Sequence, residues 1–173
     1  KRQTGDRASV SAMRELIGFK AYELSGMEAY CVYAAAKYVS QVFYDYGEGF
    51  SQENSILIHD CFTEEKDVHF TVDVPKGVKQ IRIDPCSYRC AVTVKDIAAG
   101  EQHFAKDNMA VNGVWANENC VIFDTEDPNL VFACEGADRL DVTLEVVELP
   151  ESLTATLIEV VTPKENGLKR FFH

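Results

Sequence analysis

Trp115 and the amide side chains around it are the residues of this chain best suited to holding a ligand. It is the single tryptophan, and Asn112, Asn117 and Asn119 stand on either side of it. An indole ring covers the C–H face of a pyranose while carboxamides reach its hydroxyls, so this grouping suits a sugar-binding site. Tyr46, Phe50 and Tyr88 fall at the ends of expected strands and can join it. The competing expectation is that Trp115 plugs the end of a β-sandwich.

A second cluster, Asp124, Thr125, Asp127 and Asn129, offers oxygen donors of the kind that hard cations take. Calcium on Asp124, Asp127 and Asn129 is therefore an expectation, although EF-hand spacing is absent and no cofactor is required. Carboxylates fixing a turn through local backbone hydrogen bonds are the plainer alternative. A glycosidase reading of Asp124, Glu126 and Asp127, or of Asp45 and Glu48, needs two carboxylates facing each other across a cleft, which closeness within one loop does not supply. The four histidines have no partner motif, and there is no Gly-x-Ser-x-Gly elbow, no His-Glu-x-x-His and no phosphate-binding glycine loop. No catalytic residue is expected. Cys31, Cys61, Cys86, Cys90, Cys120 and Cys134 read as free, mostly buried thiols, since four sit in or beside apolar runs and a chain this size needs no staples. A disulfide framework is the alternative, and Cys86-x3-Cys90 lacks the spacing and the second pair of a zinc site.

The elements that must position these groups are mainly β. The 173 residues are enough for one globular unit with an appendage. The excess of 28 acidic over 17 basic residues, a net charge of −11, disfavours nucleic acid and anionic membrane surfaces. No apolar run is long enough for a membrane-spanning helix, so no membrane insertion is expected. Beginning at Lys1 without Met, the chain reads as a piece of a longer protein.

Residues 1–40 form the first region. A three-and-four spacing runs through Val10, Met13, Ile17, Lys20, Leu24, Met27, Cys31, Ala34 and Tyr38, and predicts a helix or short coiled coil, with Gly18 and Ser25-Gly26 as weak points. It either pairs with a second copy or packs on its own domain. Residues 41–149 form the β-domain, with strands expected over 39–46, 55–59, 66–74, 78–85 and 90–97. Weaker strands are expected over 102–106 and 109–115, and further ones over 120–123, 130–134 and 139–148. Val68, Phe70, Val72 and Val74 mark one buried face, as do Leu140, Val142, Leu144 and Val146, whereas residues 120–123 and 130–134 are apolar on both faces. Residues 150–173 carry a short helix or strand over 151–161 and a tail. The whole reads as a jelly-roll-like antiparallel β-sandwich with an N-terminal helical segment.

Three segments carry a resemblance. They are residues 43–55 (Phe-Tyr-Asp-Tyr-Gly-Glu-Gly-Phe-Ser-Gln-Glu-Asn-Ser), residues 78–85 with their Arg-Ile-Asp-Pro ending, and residues 122–129 (Ile-Phe-Asp-Thr-Glu-Asp-Pro-Asn). In this order the chain resembles, over about residues 41–148, an accessory β-sandwich domain of bacterial glycosyltransferases of cell-surface polysaccharide synthesis, the rhamnan-synthesis and family 2 type. The resemblance implies a module that follows a helical segment and lacks the nucleotide-sugar site. It implies a carbohydrate-recognition or targeting role beside a catalytic glycosyltransferase domain, with a glycan acceptor as partner. The implied location is cytoplasmic, at the inner face of the membrane through the full-length protein. The alternatives are a structural module that self-associates through its helix and, behind it, a glycan-active enzyme.

Overall fold

The structure, a computed structural model, describes residues 38–63 and 66–162. The expected helical stripe over 10–38 falls outside them, apart from Tyr38, as does the tail from residue 163. Two antiparallel sheets make up the fold. The first contains β1 (Ser40–Asp45), β2 (Ser55–Ile58), β5 (Gln80–Asp84), β8 (Ala110–Val111) and β11 (Leu130–Ala133), in the order β2-β1-β5-β11-β8. The second contains β3 (Phe62–Thr63), β4 (Asp67–Asp73), β6 (Cys90–Ala99), β7 (Gln102–His103), β9 (Val114–Trp115), β10 (Cys120–Phe123) and β12 (Arg139–Glu148). Its order is β3-β4-β12-β6-β10-β9, with β7 pairing the far end of β6.

Strict alternation in the sequence becomes rows of side chains across each sheet. In the first sheet Val42, Ile83 and Leu130 stand in one row, and Tyr44, Ile81 and Phe132 in the next, all buried. In the second, Val68, Leu144 and Val94 align, as do Phe70, Val142 and Ile97. Both sets of rows belong to one hydrophobic cluster. Each such side chain withdrawn from water contributes about 1.5–3 kcal/mol, so these rows are the main drive for the sandwich.

The alternation in β6 loses step once. Asp96 faces Thr143 and Val94 faces Leu144, so Lys95 has no partner in β12, which is a β-bulge. The extra residue lets Val94 and Ile97 both face the core while Lys95 turns outward, its Nζ 2.9 Å from Asp67 and 3.2 Å from Glu145.

The segments 78–85 and 90–97 are strands as the sequence predicts, but they lie in opposite sheets, because the turn between them carries the chain across the sandwich. The same holds at Asn112-Gly113: β8 pairs β11 and β9 pairs β10, so this turn is a crossing. Gly113 is required there by packing, since a Cβ would stand 2.6 Å from the Ile122 carbonyl oxygen and 2.7 Å from the Phe123 ring. β10 is covered on both faces, as its composition suggests, with Val121, Ile122 and Phe123 all buried. Helix α1 (Glu151–Val161) lies against β10 and β9. β11 departs from the expectation: Val131 is half-buried and Ala133 exposed, because among the described residues no further layer packs on that side of the first sheet. Residues 151–161 choose helix over strand. Pro150 fits the position before the first turn, and Thr154 is buried with its hydroxyl donating to the Pro150 carbonyl at 3.0 Å.

Candidate functional site

On the outward face of the first sheet, Phe43, Arg82, Val131 and Ala110 form one row across β1, β5, β11 and β8. Arg82 occupies the middle. Its Nε donates to Asp84 Oδ1 at 2.6 Å and its Nη2 to Asp84 Oδ2 at 2.8 Å, a two-pronged contact made possible because residues two apart on a strand share a face. The same Nη2 donates to Asp127 Oδ1 at 2.7 Å. The guanidinium carbon lies 5.0 Å from the centre of the Phe43 ring. Phe43 therefore faces outward yet is buried, under this cation and beside the 3-10 turn Gln52–Asn54 that lies against β1.

The electrostatics of the pair follow from unequal burial. Arg82 and Asp84 side chains are 22% and 12% exposed, whereas Asp127 is 67% exposed. Burial holds the Asp84 carboxyl above its ordinary range, outweighing the hydrogen bonds and charge of Arg82 that act the other way. Contact with Asp84 pushes the Arg82 guanidinium up. These shifts pull in different senses for one pair. The short two-pronged geometry is that of two ionised groups, with the desolvation cost carried by Asp84.

All three segments that carry the resemblance meet here: Phe43 comes from the first, Arg82 and Asp84 from the second, Asp127 from the third. Asp45 closes the loop of the first segment by accepting the N–H groups of Gly47 at 2.6 Å and Gly49 at 2.8 Å. The Gly47 bond, acting against burial, holds its carboxyl below the usual carboxylate range. Gly47 and Gly49 have φ of 108° and 93°, a region that favours glycine, so this sharp loop follows from their identity.

A second arginine organises the acidic loop. Arg89 Nε donates to Asp124 Oδ1 at 3.1 Å and Nη1 to Glu126 Oε1 at 3.3 Å. Asp124 and Asp127 are thus engaged by two different arginines. Thr125 Oγ1 accepts the Asp127 N–H at 3.1 Å, and Asn129 Nδ2 donates to the Asp127 carbonyl at 3.4 Å. Among the described residues, no group of three or more His, Cys, Asp or Glu side chains is placed to hold a metal ion.

The amides expected around Trp115 are drawn into backbone work. Asn112 Nδ2 donates to the Asp127 carbonyl at 2.7 Å while its Oδ1 accepts the Asn129 N–H at 2.9 Å. Asn117 Oδ1 accepts the N–H groups of Asn119 and Cys120. Trp115 stands opposite Val121 and packs, half-buried, on the hydrophobic cluster. Tyr88 also packs on the cluster, and burial pushes its hydroxyl up. Tyr46 is exposed at the start of the 46–49 loop. Asn112 touches the loop that holds Asp127, and the array that forms there is centred on Arg82. Sequence reasoning passed over Arg82 because one strand arginine carries no motif. The signal present was Arg-x-Asp on alternate strand positions.

No family model, curated protein or solved structure matches this chain.

Proposed function

We propose that this chain is a non-catalytic carbohydrate-recognition module of a bacterial glycosyltransferase of cell-surface polysaccharide synthesis, which holds acceptor glycan near the catalytic domain of the same protein. The observation that carries the reading is the Arg82 array. Nη1 of a guanidinium fixed by Asp84 remains as a donor beside the exposed carboxylate of Asp127, and such a donor-and-acceptor pair matches neighbouring hydroxyls of a sugar ring. With a net charge of −11, a neutral glycan is the better fit than an acidic one. With both oxygens of Asp84 held by the guanidinium, Asp127 is the one carboxylate of the array left open, and a single open carboxylate favours recognition over hydrolysis. The jelly-roll-like architecture belongs to the same reading and is supported by the passage of the chain between sheets from β4 to β5, β5 to β6, β10 to β11 and β11 to β12. The segment before β1 would then join the module to its catalytic domain or to a second copy, on the cytoplasmic side of the membrane.

The test is a glycan panel read by thermal shift, with and without calcium, on the wild type and on Asp127→Asn and Trp115→Phe. A bound ligand raises the melting point by mass action. A shift with one sugar class that is lost in Asp127→Asn and kept in Trp115→Phe supports the reading. No shift with any glycan, or one that Asp127→Asn leaves untouched, overturns it. Calcium alone raising the melting point would point to a cation on Asp124, Asp127 and Asn129, taken by the two carboxylates in exchange for their arginines.

A structural module is the second reading. It is favoured by apolar side chains left in water on edge strand β2, Ile56 and Leu57, and on α1, Leu153 and Val160. A dimer that dissociates in Leu24→Glu/Met27→Glu, with no glycan shift, would select it.

A further inference from the structure

Five cysteines lie among the described residues, and none is bridged. Cys86 and Cys90 stand out by geometry. Cys86 follows Pro85 just past β5, and Cys90 is the first residue of β6, so the two flank the turn that carries the chain from one sheet to the other. Their sulfurs are 3.4 Å apart, and Cys86 shares its S–H between the Cys90 sulfur and the Tyr88 carbonyl, also at 3.4 Å. A disulfide needs the sulfurs at about 2.05 Å, an approach of roughly 1.4 Å from where they stand. Cys61, by contrast, directs its sulfur to the Ser40 hydroxyl and the Ile58 carbonyl.

We propose that Cys86 and Cys90 are a thiol–disulfide exchange site, oxidised by a small-molecule disulfide such as oxidised glutathione to an intrachain bond that clamps the turn between the sheets. The thiolate of Cys86 attacks one sulfur of the reagent, forms a mixed disulfide and expels one thiol. The thiolate of Cys90 then attacks the Cys86 sulfur, forms the protein disulfide and expels the second thiol. Two electrons and two protons leave the protein and reduce the reagent to two thiols.

Both sulfurs are buried, so exchange waits on opening of the 86–89 turn, whose Ser87 is exposed and whose Tyr88 and Arg89 are half-buried. The contact with Cys86, together with burial, keeps Cys90 in its thiol form while the turn is closed. The turn also bears Arg89, which holds Asp124 and Glu126, so its oxidation state reaches the acidic loop.

The sequence provides a direct readout. Trypsin cuts after Arg82, Arg89 and Lys95, which places Cys86 on residues 83–89 and Cys90 on residues 90–95. The folded chain is treated with oxidised glutathione, free thiols are alkylated and the digest is analysed by mass. The expected result is a species joining these two peptides that reduction separates. Recovery of both peptides alkylated, or a glutathione adduct on Cys86 that never resolves, overturns the proposal. In Cys90→Ser the adduct on Cys86 should accumulate instead. Should that variant fail to fold, the wild-type digest decides alone.

Discussion

Replacing Arg82 by Met removes a guanidinium while keeping most of the stem that covers Phe43. Two charge-assisted hydrogen bonds to Asp84 vanish, and a carboxylate 12% exposed is left without its cation. Breaking a fully buried pair by removing one partner costs about 3–5 kcal/mol, and the partial exposure of Arg82 and Asp84 reduces this to roughly 2–3 kcal/mol. The contact over Phe43 adds about 0.5–1 kcal/mol, whereas the exposed Asp127 contact adds little. The sum is about 3 kcal/mol at neutral pH. With a urea dependence of about 1.5 kcal/mol per molar for a domain of this size, the unfolding midpoint drops by about 2 M.

The pH dependence has a definite sign. Asp84 titrates above its unfolded value, so its contribution to stability is fully present below that value and is lost as pH rises through the folded one. Without Arg82 the folded value rises further, so the gap between wild type and variant is widest near neutrality and narrows as pH falls toward about 4. Adding Asp84→Asn to Arg82→Met should restore at least about 1 kcal/mol by removing the stranded charge. A loss below about 0.5 kcal/mol in the single variant, or a gap that does not narrow in acid, would show that the pair is not the keystone of this face.

Other expectations follow from single contacts. Gly113→Ala should destabilise by about 1–3 kcal/mol in chemical denaturation, because its Cβ meets backbone and core atoms that cannot give way; unchanged stability would show that the crossing has slack. Asp45 titrates below its unfolded value, so its stabilisation is present above that value and lost as pH falls through the folded one. Asp45→Asn should therefore lower the melting point at neutral pH and flatten its acid decline, read by calorimetry from neutral pH down to about pH 2. Tyr44, buried and donating to the Asp73 carbonyl at 3.1 Å, is pushed up to about 12. Ultraviolet titration should show late-ionising tyrosines, one of which Tyr44→Phe removes while Tyr88 stays late, and stability should decline as pH rises from about 10 toward that value.

Much of the fold was legible because period-two patterning is a local property. Val68 to Val74 and Leu140 to Val146 declare their inward faces without reference to a partner, and the structure places them so, with Val72 only partly covered. What the pattern does not carry is which strand each row meets. Residues 78–85 and 90–97 look like neighbours along the chain, yet the first pairs with β1 and β11 and the second with β12 and β10. The bulge at Lys95 was similarly hidden, since one extra residue shows only as two adjacent polar positions, Lys95-Asp96, inside an apolar run. At the candidate site, composition pointed to Trp115 because a lone indole among amides is conspicuous. Asn112 and Asn117 turned out to serve the backbone, which asparagine does in turns by the same hydrogen-bonding capacity that would have served a sugar.

The position of β12 has a consequence for how the chain reaches this state. The last core strand in the sequence sits between β4 and β6, which have no pairing with each other. On a ribosome, the first strands of the second sheet would wait with open edges until residues 139–148 emerge, and β1 would already have been waiting for β5. Pairings this distant along the chain fold slowly and leave unpaired edges exposed to other chains in the meantime. Truncation before Arg139 therefore removes the centre of the second sheet and not its margin, and such fragments should collect in aggregates instead of forming a smaller sandwich.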